Sequence, residues 1–277
     1  MASTDGPFRA VIYLPTTEAY DRWAAVYDTD GNFLQALDDL EMSKLFSKFR
    51  AALNPSASPR KLVDLGCGTG RNTAQLLGVE DATVVALDAS PGMLAVAEKR
   101  LNDLVKAAQG GGAQSSGHDK LAMGIFDLLT CDIPPETARQ ADGVISTLVL
   151  EHIPLDTYFR HVSQMLKPDG VLLLTNMHSD MGRISQAGFV DTMTGEKVRP
   201  TSYAHTVEDV ITEARRHGLV AISDEETDSA GLMERAVTEE LVERLGSRSK
   251  KWVGINCWFG GLLRKVDDAS TQIEDGV

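Results

Sequence analysis

A turn with three glycines at alternate positions joins an apolar segment to a helical one. Residues 61–65 predict a strand, residues 66–70 the turn and residues 71–77 a helix, with Gly78 as its left-handed end. Glycine suits such a turn because it reaches dihedral angles that other residues avoid, and because a Cβ atom would collide with a ligand lying across the backbone. The start of the helix adds unpaired N–H groups that attract an anionic group. The unit predicts a ligand-binding βα turn, although the glycines alone also fit an ordinary tight turn.

The spacing of the glycines separates this turn from a dinucleotide-binding fingerprint. The motif reads GxGxG, and Arg71 occupies the position that the dinucleotide fingerprint fills with Gly or Ala, where its bulk opposes close packing of helix on strand. The next apolar segment, 82–87, leads into Asp88. A carboxylate at the end of the second strand can accept two hydrogen bonds from ribose hydroxyls. These features favour a cofactor that has an adenosine ribose but no pyrophosphate.

The rest of the chain alternates predicted strands and helices. Further strands are predicted at residues 123–129, 142–147, 171–176, 220–222 and 254–266. Helices are predicted at residues 91–107, 207–217 and 232–245, with Ser90 and Thr206 as N-caps and Gly218 as a left-handed stop. Alternation of this kind requires right-handed crossovers over a buried parallel sheet. We predict an α/β fold: a Rossmann-like, seven-stranded, mostly parallel sheet with helices on both faces, an N-terminal helical lid and a small insertion after the fifth strand.

The chain is predicted to have three parts. Residues 1–56 form an arm and a helical lid, residues 57–266 the core, and residues 267–277 an acidic tail. Within the core, residues 177–205 interrupt the alternation with two short strands, at the sheet edge where parallel α/β proteins bind ligands. We therefore expect this insertion to cover a substrate, with simple decoration as the alternative. A Gly/Ser loop at 110–117 is not expected to carry chemistry.

The segment before the core predicts a loose arm over residues 1–16 and then two helices. The first helix carries Tyr20, Trp23 and Tyr27 on one face, and the second covers residues 34–53. An aromatic stripe of this kind either packs into the core or closes over a ligand. The spacing leaves both interpretations open.

Five segments, in this order, resemble the motifs of class I S-adenosylmethionine-dependent methyltransferases, especially the small-molecule group that includes the ubiquinone and menaquinone methyltransferase-like enzymes. They read VDLGCGTGRNT, VVALDASPGML, FDLLTCDIPP, ADGVISTLVLEHIP and LKPDGVLLLTNMH. The first two segments carry most of the specificity, and the similarity extends from about residue 20 to the final predicted strand. The resemblance implies S-adenosylmethionine as the cofactor and S-adenosylhomocysteine as its product.

The resemblance also implies which residues contact the cofactor. The expected contacts are Tyr20, Tyr27, Asp64, Gly66, Cys67, Gly68, Gly70, Arg71, Asp88, Ala89, Met93, Asp132, Ile133 and Thr147. Asp132 is expected to accept a hydrogen bond from the adenine amino group, beside a wall that includes Ile133, and the aromatic lid residues to lie near the methionine end. Three alternatives stay open: Met93 also fits a core position, Asp132 an ordinary loop, and Arg71 the solvent rather than the cofactor carboxylate.

Methyl transfer from a sulfonium depends mainly on alignment of the reactants, which can account for about 7–11 kcal/mol of a barrier. A base is needed only where the nucleophile arrives protonated. His152 is the best candidate base, because a histidine takes up a proton near neutral pH and this one follows the fourth predicted strand; a helix-entry histidine bonded to backbone is the alternative. His178 ranks second, together with His205, and Glu151 is interpreted as structural. No carboxylate pair accompanies the fourth motif, so we expect no metal.

The charge balance disfavours several classes of partner. The chain has 27 Lys and Arg against 40 Asp and Glu, which gives a formal net charge of −13. Such a field repels phosphate backbones and anionic lipid heads, so we expect neither nucleic acid nor membrane as a partner. Arg248, Lys250 and Lys251 form one small basic cluster, which we interpret as a solvated turn. The fourth motif lacks the Asn/Asp-Pro-Pro-aromatic and Pro-Cys sequences of DNA methyltransferases, and this favours a small-molecule substrate.

Cysteine usage and the N-terminal sequence favour a cytoplasmic location. Cys67, Cys131 and Cys257 are widely spaced and lack the spacing of metal ligands, so neither a disulfide framework nor a zinc site is expected. The N-terminal sequence has no basic segment followed by a long apolar stretch, which opposes a secretory leader.

Three functions fit these observations, in decreasing order of preference. The first is transfer of a methyl group to an oxygen or nitrogen atom of a small organic metabolite, with carbon as a further acceptor, in secondary metabolism. The second is use of the cofactor as a scaffold for a cyclisation or pericyclic step, because a fold does not fix a function. The third is a non-catalytic regulator that binds the cofactor, which the intact Asp64, Asp88 and glycines oppose. The substrate and the oligomeric state do not follow from the sequence.

Overall fold

The computed structural model describes residues 10–109, 120–222 and 231–266. Its strands are β1 (Val11–Tyr13), β2 (Arg60–Leu65), β3 (Ala82–Asp88), β4 (Leu121–Ile125), β5 (Ala141–Thr147), β6 (Leu166–Met177), β7 (Phe189–Val190), β8 (Lys197–Arg199), β9 (Leu219–Ala221), β10 (Met233–Ala236) and β11 (Asn256–Lys265). Its α-helices are α1 (Thr16–Trp23), α2 (Phe33–Ala52), α3 (Arg71–Leu77), α4 (Pro91–Gln109), α5 (Leu155–Met165), α6 (Ser179–Ile184), α7 (Val207–Arg216) and α8 (Glu239–Leu245). The predicted Gly/Ser loop, the acidic tail and the start of the arm lie outside the described residues. Within those ranges, no helix has the length and apolar character needed to cross a membrane.

Eight strands form the main sheet, in the spatial order β10-β11-β6-β5-β2-β3-β4, with β9 also paired to β11. Strands β2 to β6 run parallel to one another, and β11 is antiparallel to β6, β9 and β10. The predicted Rossmann-like α/β architecture is confirmed, with one more strand than expected. The additional strand is β10, which occupies the start of the predicted helix at 232–245. Its pairing with β11 overrides the local helical spacing, and α8 begins only after Thr238, whose side chain caps it.

Helix α2 packs directly on the parallel strands. All seven residues of β5 are buried, as expected where helices cover both faces of a parallel sheet. A Cβ atom at Gly143 would lie 2.5 Å from the ring atom Cζ of Phe49, so only glycine allows this close approach. Asp38 of α2 is buried and accepts hydrogen bonds from Thr175 Oγ1 at 2.6 Å and Trp258 Nε1 at 2.9 Å. These bonds fix α2 across β6 and β11.

The N-terminal arm and the insertion together form a second layer, which we call the lid (β1, α1, β7 and β8). β1 pairs in parallel with β8, and β8 pairs antiparallel with β7, as a separate three-stranded sheet. Trp23 of α1 stacks on Phe189 of β7 with ring centroids 5.0 Å apart. The two short strands of the insertion were predicted. β1 forms within the predicted arm, at apolar residues that the sequence leaves able to pack. The partner of β1 lies in the insertion, too distant in sequence for local spacing to reveal it.

Two carboxylates, Asp21 of α1 and Asp28 of the turn that follows α1, attach the lid to the core. Asp21 Oδ1 accepts hydrogen bonds from Ser90 Oγ at 2.5 Å and from the backbone N–H of Gly92 at 2.9 Å, at the start of α4. Asp28 accepts from Thr69 Oγ1 in the glycine-rich turn at 2.9 Å and pairs with a guanidinium of α4 at 2.6 Å. The lid is therefore held at the sheet edge that carries the glycine-rich turn.

The predicted helix ends are mostly confirmed. The side chains of Ser90 and Thr206 each accept the backbone N–H of the residue three positions later, as N-caps do. Gly218 ends α7 with a left-handed φ of 72°. Gly78 has a φ of −76°, so the left-handed end predicted for α3 was wrong. A right-handed turn closes this helix instead.

The contact between Trp23 and Phe189 predicts that Trp23→Ala loosens the lid without unfolding the sheet. Removing a large buried aromatic side chain typically costs about 3–5 kcal/mol, and Trp23 is 3% exposed. We expect faster amide hydrogen exchange in α1, β7 and β8, with unchanged protection in β2, β3 and β5. Met193→Ala is the matched control, since this side chain is 91% exposed in the turn between β7 and β8. Equal loss of protection in the sheet would contradict a separable lid.

Candidate active site

Two cavities lie along the carboxyl ends of the parallel strands. The glycine-loop cavity has a volume of 280 Å³ and is lined by the segments that follow β2, β3, β4 and β5, together with α1. The lid cavity has a volume of 660 Å³ and lies between the lid, the start of α2 and residues 247–252. Tyr20, Tyr27 and Leu148 line both cavities. These three residues, which we call the partition, therefore separate two adjoining sites.

The glycine-rich turn brings backbone to the wall of the glycine-loop cavity. Gly66, Gly68 and Gly70 have left-handed φ values of 72°, 53° and 81°. A Cβ atom at Gly66 would lie 2.2 Å from Val149 Cγ2, so the turn packs against the segment after β5. A Cβ atom at Gly68 would have no heavy atom within 4 Å. The open space at Gly68 is the room that a cofactor needs to lie against backbone.

Asp88 presents a carboxylate to the same cavity. Its Oδ2 accepts the N–H of Gly68 at 2.8 Å, and its Oδ1 accepts the N–H of Ser90 at 2.8 Å. Burial raises the pKa of Asp88 to about 6, opposed by these backbone hydrogen bonds. The carboxylate is thus ionised at neutral pH and held in place at the end of β3. Together with the apolar side chains of Met93 and Phe126 in the cavity wall, it fits an adenosine ribose and its base.

Most of the predicted contacts reach this cavity. Those that line it are Tyr20, Tyr27, Gly66, Gly68, Asp88, Ala89, Met93, Thr147 and His152. Those that line neither cavity are Asp64, Cys67, Gly70, Arg71, Asp132, Ile133 and His178. The contacts of the second group within the fold explain why these residues do not line a cavity.

Residues of the first motif that point away from the cavity support the turn from behind. Asp64 accepts a hydrogen bond from Thr73 Oγ1 of α3 at 2.6 Å, and burial raises its pKa to about 6. Burial also raises the pKa of the Cys67 thiol well above its usual range, so the thiol stays protonated. A Cβ atom at Gly70 would lie 3.1 Å from Ala97 Cβ, which shows that this glycine allows α3 and α4 to pack closely.

Arg71 faces helix α2. It forms an ion pair with Asp39, and its Nη2 lies 3.9 Å from Asp38 Oδ2. The prediction that Arg71 contacts the cofactor carboxylate is therefore not supported by the geometry. The pairing with two carboxylates of α2 attaches the start of α3 to that helix.

The third motif was misread because β4 ends earlier than predicted. The strand stops at Ile125 rather than at residue 129, so residues 126–130, which include Asp127, follow the strand and line the cavity. Asp132 is exposed and Ile133 is 61% exposed. Neither residue lines a cavity, so the geometry does not support the expected contacts of Asp132 and Ile133 with the adenine. A shorter strand would have identified Asp127 from the sequence.

His152 is bonded through both ring nitrogens. Its Nδ1 lies 2.6 Å from the carbonyl oxygen of Thr201, so this nitrogen carries the proton and donates. Its Nε2 then accepts the hydroxyl of Tyr20, which lies 2.8 Å away. Burial lowers the pKa of His152 to about 4 and raises the pKa of Tyr20 well above 10. The lone pair that would make His152 a base is therefore engaged by a residue of the partition.

His178 has a structural role. Its Nδ1 accepts the N–H of Asp180 at the start of α6, and its Nε2 lies 2.9 Å from Glu234 Oε2. His205 donates from Nε2 to the carbonyl oxygen of Ile153 at 2.9 Å. The geometry does not support either histidine as the second-choice base.

Glu151 is the polar residue that sequence reasoning undervalued. It lines the lid cavity, is 2% exposed, and its Oε2 has no hydrogen-bond partner among the described residues. Burial raises the pKa of Glu151 to about 7. Its backbone N–H donates to Asn176 Oδ1 at 3.0 Å, which fixes the residue against the end of β6. Its position next to His152, just after the fourth strand, was the available sequence signal.

Leu148 holds an unusual backbone conformation at the partition. Its φ of 56° lies in the left-handed region, which costs a residue other than glycine about 1–2 kcal/mol. The N–H of Leu148 donates to the carbonyl oxygen of Thr175 at 2.9 Å, which maintains the conformation. Strained backbone of this kind is concentrated at functional sites.

Comparison with known proteins agrees with this arrangement. A family model described as a methyltransferase domain matches residues 63–174. Over 277 aligned residues the chain is 46% identical to the uncharacterized methyltransferase AN0656 of Emericella nidulans, covering 94% of this chain and 93% of that protein.

Solved structures share the fold at lower identity. The complex of DhpI with SAH has a TM-score of 0.55 and 18% identity, covering 90% of this chain and 95% of that chain. The cyclase SpnF has a TM-score of 0.56 and 14% identity, covering 93% and 99%. These likenesses do not single out the ubiquinone and menaquinone methyltransferase-like group.

The different surroundings of two glycines predict different effects of the same substitution. Gly68→Ala places a methyl group in the open space of the cavity, so we expect about tenfold weaker binding of S-adenosylmethionine and a stability loss of only about 1–2 kcal/mol. Gly66→Ala drives a methyl group into Val149, so we expect a stability loss of about 2–4 kcal/mol. Calorimetric titration and thermal unfolding measure the two effects. Unchanged affinity in Gly68→Ala would show that the cofactor does not lie against this backbone.

Proposed function

The chain belongs to the class I S-adenosylmethionine-dependent methyltransferases, and on that premise we propose that it methylates an oxygen or nitrogen atom of a small organic molecule held in the lid cavity. The observation that carries this proposal is the partition. Tyr20, Tyr27 and Leu148 each line both cavities, so a cofactor in one and an acceptor in the other meet at a single boundary. Alignment across such a boundary is the main requirement of methyl transfer.

The glycine-loop cavity suits the cofactor. We assign its polar contacts to the backbone at Gly68 and the carboxylate of Asp88, and the contact with the adenine amino group to Asp127, since all three residues line this cavity. When bound, S-adenosylmethionine supplies an electrophilic methyl group on a sulfonium. Tyr20 and Tyr27 then exclude water from the boundary, and burial keeps both phenols protonated at neutral pH.

We assign the role of base to Glu151. Its buried carboxylate lines the lid cavity and has an oxygen without a hydrogen-bond partner among the described residues. A pKa of about 7 is close to the optimum for a group that must accept a proton at neutral pH. Glu151 is therefore suited to take the proton of a hydroxyl as the methyl group is transferred. For a protonated amine, Glu151 would take the proton before transfer, which frees the nitrogen lone pair for attack. His152 acts as a positioning residue, because its Nε2 holds the hydroxyl of Tyr20.

The first test is calorimetric titration with S-adenosylmethionine and S-adenosylhomocysteine. We expect micromolar binding of both, and about 100-fold weaker binding in Asp88→Ala, because hydrogen bonds to a charged group contribute about 1.5–3 kcal/mol. Asp103→Ala on α4 is the matched control, since this carboxylate is exposed and lines neither cavity. A folded wild-type protein that binds neither compound would overturn the proposal.

A screen of small acceptors with methyl-labelled S-adenosylmethionine then separates the remaining functions. Label recovered on an acceptor supports methyl transfer, and the labelled atom distinguishes oxygen and nitrogen from carbon. Product formation with the cofactor methyl group retained would instead support use of the cofactor as a scaffold. Tight binding without turnover of any kind would favour a regulator.

Glu151→Gln is expected to remove activity while stabilising the fold. In the folded state the pKa of Glu151 is about 7, against an ordinary value of 4.5, so ionisation of Glu151 destabilises the folded protein as pH rises from about 4.5 to 7. Glutamine does not ionise, and the variant should therefore gain up to about 3 kcal/mol over wild type at pH 8 and nothing below pH 4.5. Loss of the base should slow transfer by about 10²–10⁴-fold.

Denaturant unfolding across this pH range and single-turnover kinetics measure the two effects of Glu151→Gln. Glu98→Gln, at an exposed position of α4, should show no pH-dependent difference from wild type. A structural role would reverse the first result: Glu151→Gln would then be less stable than wild type at pH 8.

A further inference from the structure

Four basic side chains meet at the wall of the lid cavity. They are Lys197, Arg248, Lys250 and Lys251, which we call the basic cluster. The first belongs to β8 in the lid, and the other three to a 3-10 helical segment, Ser247–Trp252. No member of the cluster lines the glycine-loop cavity. The basic cluster therefore occupies a part of the lid cavity that is separate from the partition.

The basic cluster has no carboxylate partner within the described ranges. Arg248 donates from Nη1 to the backbone oxygen of Asp30 at 2.6 Å, and Lys251 Nζ lies 5.1 Å from the centre of the Trp252 ring. Among the described residues that line the lid cavity, Glu151 is the one acidic side chain. These four cations make this part of the cavity wall positively charged, although the chain as a whole has a net charge of −13.

The cations also act on one another. Burial lowers the pKa of Lys197, and neighbouring cations, Arg199 and two members of the cluster, lower it further. Like charges held close together oppose folding unless a counter-charge is present. An anion bound among them would offset this repulsion. The cluster is therefore better suited to bind an anionic ligand than to pair with another part of the chain.

Aromatic and apolar side chains form much of the remaining wall of the lid cavity, beside the polar residues Asn32, Ser185, Gln186 and Ser247 and the carboxylate of Glu151. Trp23 and Phe189 lie stacked on the lid side. Phe33 and Trp252 stack on the side of the basic cluster, with ring centroids 5.9 Å apart. Flat apolar molecules gain most from surfaces of this kind. The lid cavity thus combines an apolar body with one cationic region.

We propose that the substrate in the lid cavity is an organic anion, with an aromatic or similarly apolar body and a carboxylate or phosphate group held by the basic cluster. The nucleophilic atom then lies towards the partition and Glu151. This inference rests on the proposed function, because it assigns the substrate to the cavity beside the cofactor. Arg248, Lys250 and Lys251 are exposed, which agrees with the solvated turn expected from the sequence, and the proposal adds a role in substrate selection.

Three probes with one apolar body separate charge from hydrophobic binding: 2-naphthoate, 2-naphthyl phosphate and the neutral 2-naphthamide. By calorimetric titration we expect either anion to bind at least tenfold more tightly than the amide. The tighter of the two anions identifies the preferred anionic group. Lys197→Gln combined with Lys250→Gln should weaken anion binding by about five- to tenfold and leave amide binding unchanged.

A charge-matched control and a second measurement keep the test specific. Lys44→Gln combined with Lys99→Gln removes the same charge from exposed positions of α2 and α4 and should not change binding of any probe. Methyl-labelled methionine reports where a probe lies: the resonances of Met177 and Met181, which line the lid cavity, should shift with 2-naphthoate. The resonance of the exposed Met193 should not shift.

Equal affinity for 2-naphthoate and 2-naphthamide would overturn the proposal, as would equal loss of anion binding in the two double variants. These outcomes are independent of the cofactor. If S-adenosylmethionine fails to bind while the anions follow the charge of the cluster, the proposed function fails and the anion site stands. If S-adenosylmethionine binds while charge makes no difference, the anion site fails alone.

Discussion

The close approach of Gly66 to Val149 determines the shape of the sheet edge on which both cavities depend. A Cβ atom at Gly66 would lie 2.2 Å from Val149 Cγ2, so the turn after β2 lies directly on the segment after β5. From this position the N–H of Gly68 reaches Asp88 Oδ2 at 2.8 Å, which adds the end of β3. Three strand ends are thus joined by one turn, and the glycine-loop cavity is the space between them.

Several arrangements at this edge oppose folding. Asp88 and Glu151 hold carboxylates in buried surroundings that raise the pKa to about 6 and about 7, and Leu148 keeps a left-handed backbone. Each of these costs free energy that the surrounding structure has to offset. The fully buried strand β5 and the stacked rings of Trp23 and Phe189 provide apolar burial on either side. Unfavourable arrangements of this kind thus lie along the edge of the two cavities, between a packed sheet and the lid.

The features that could be predicted from the sequence are those with a local signature. Gly68 and Asp88 stand at strand ends that apolar periodicity marks, and the N-caps follow from single side chains. Asp127 was missed as a residue of the cavity wall because β4 ends at Ile125, four residues earlier than predicted, so that Asp127 and not Asp132 lines the cavity. The lid sheet had no local signature, and of the basic cluster only the three cations at residues 248–251 stand together in the sequence. β1 and β8 pair across most of the chain, and Lys197 joins the other cations only through the tertiary fold.

Net charge and local charge constrain different properties of a ligand. The overall charge of −13 repels a polyanion, which would have to lie along an acidic surface over many charges. Screening limits the reach of any one charge to about 8 Å at physiological ionic strength. A small anion inside the lid cavity therefore responds mainly to the basic cluster beside it. An acidic chain can for this reason repel a long polyanion such as nucleic acid and still select a small anionic substrate. The net charge acts against large anionic partners, whereas the charge of the cavity wall determines which sign of charge a small ligand should carry.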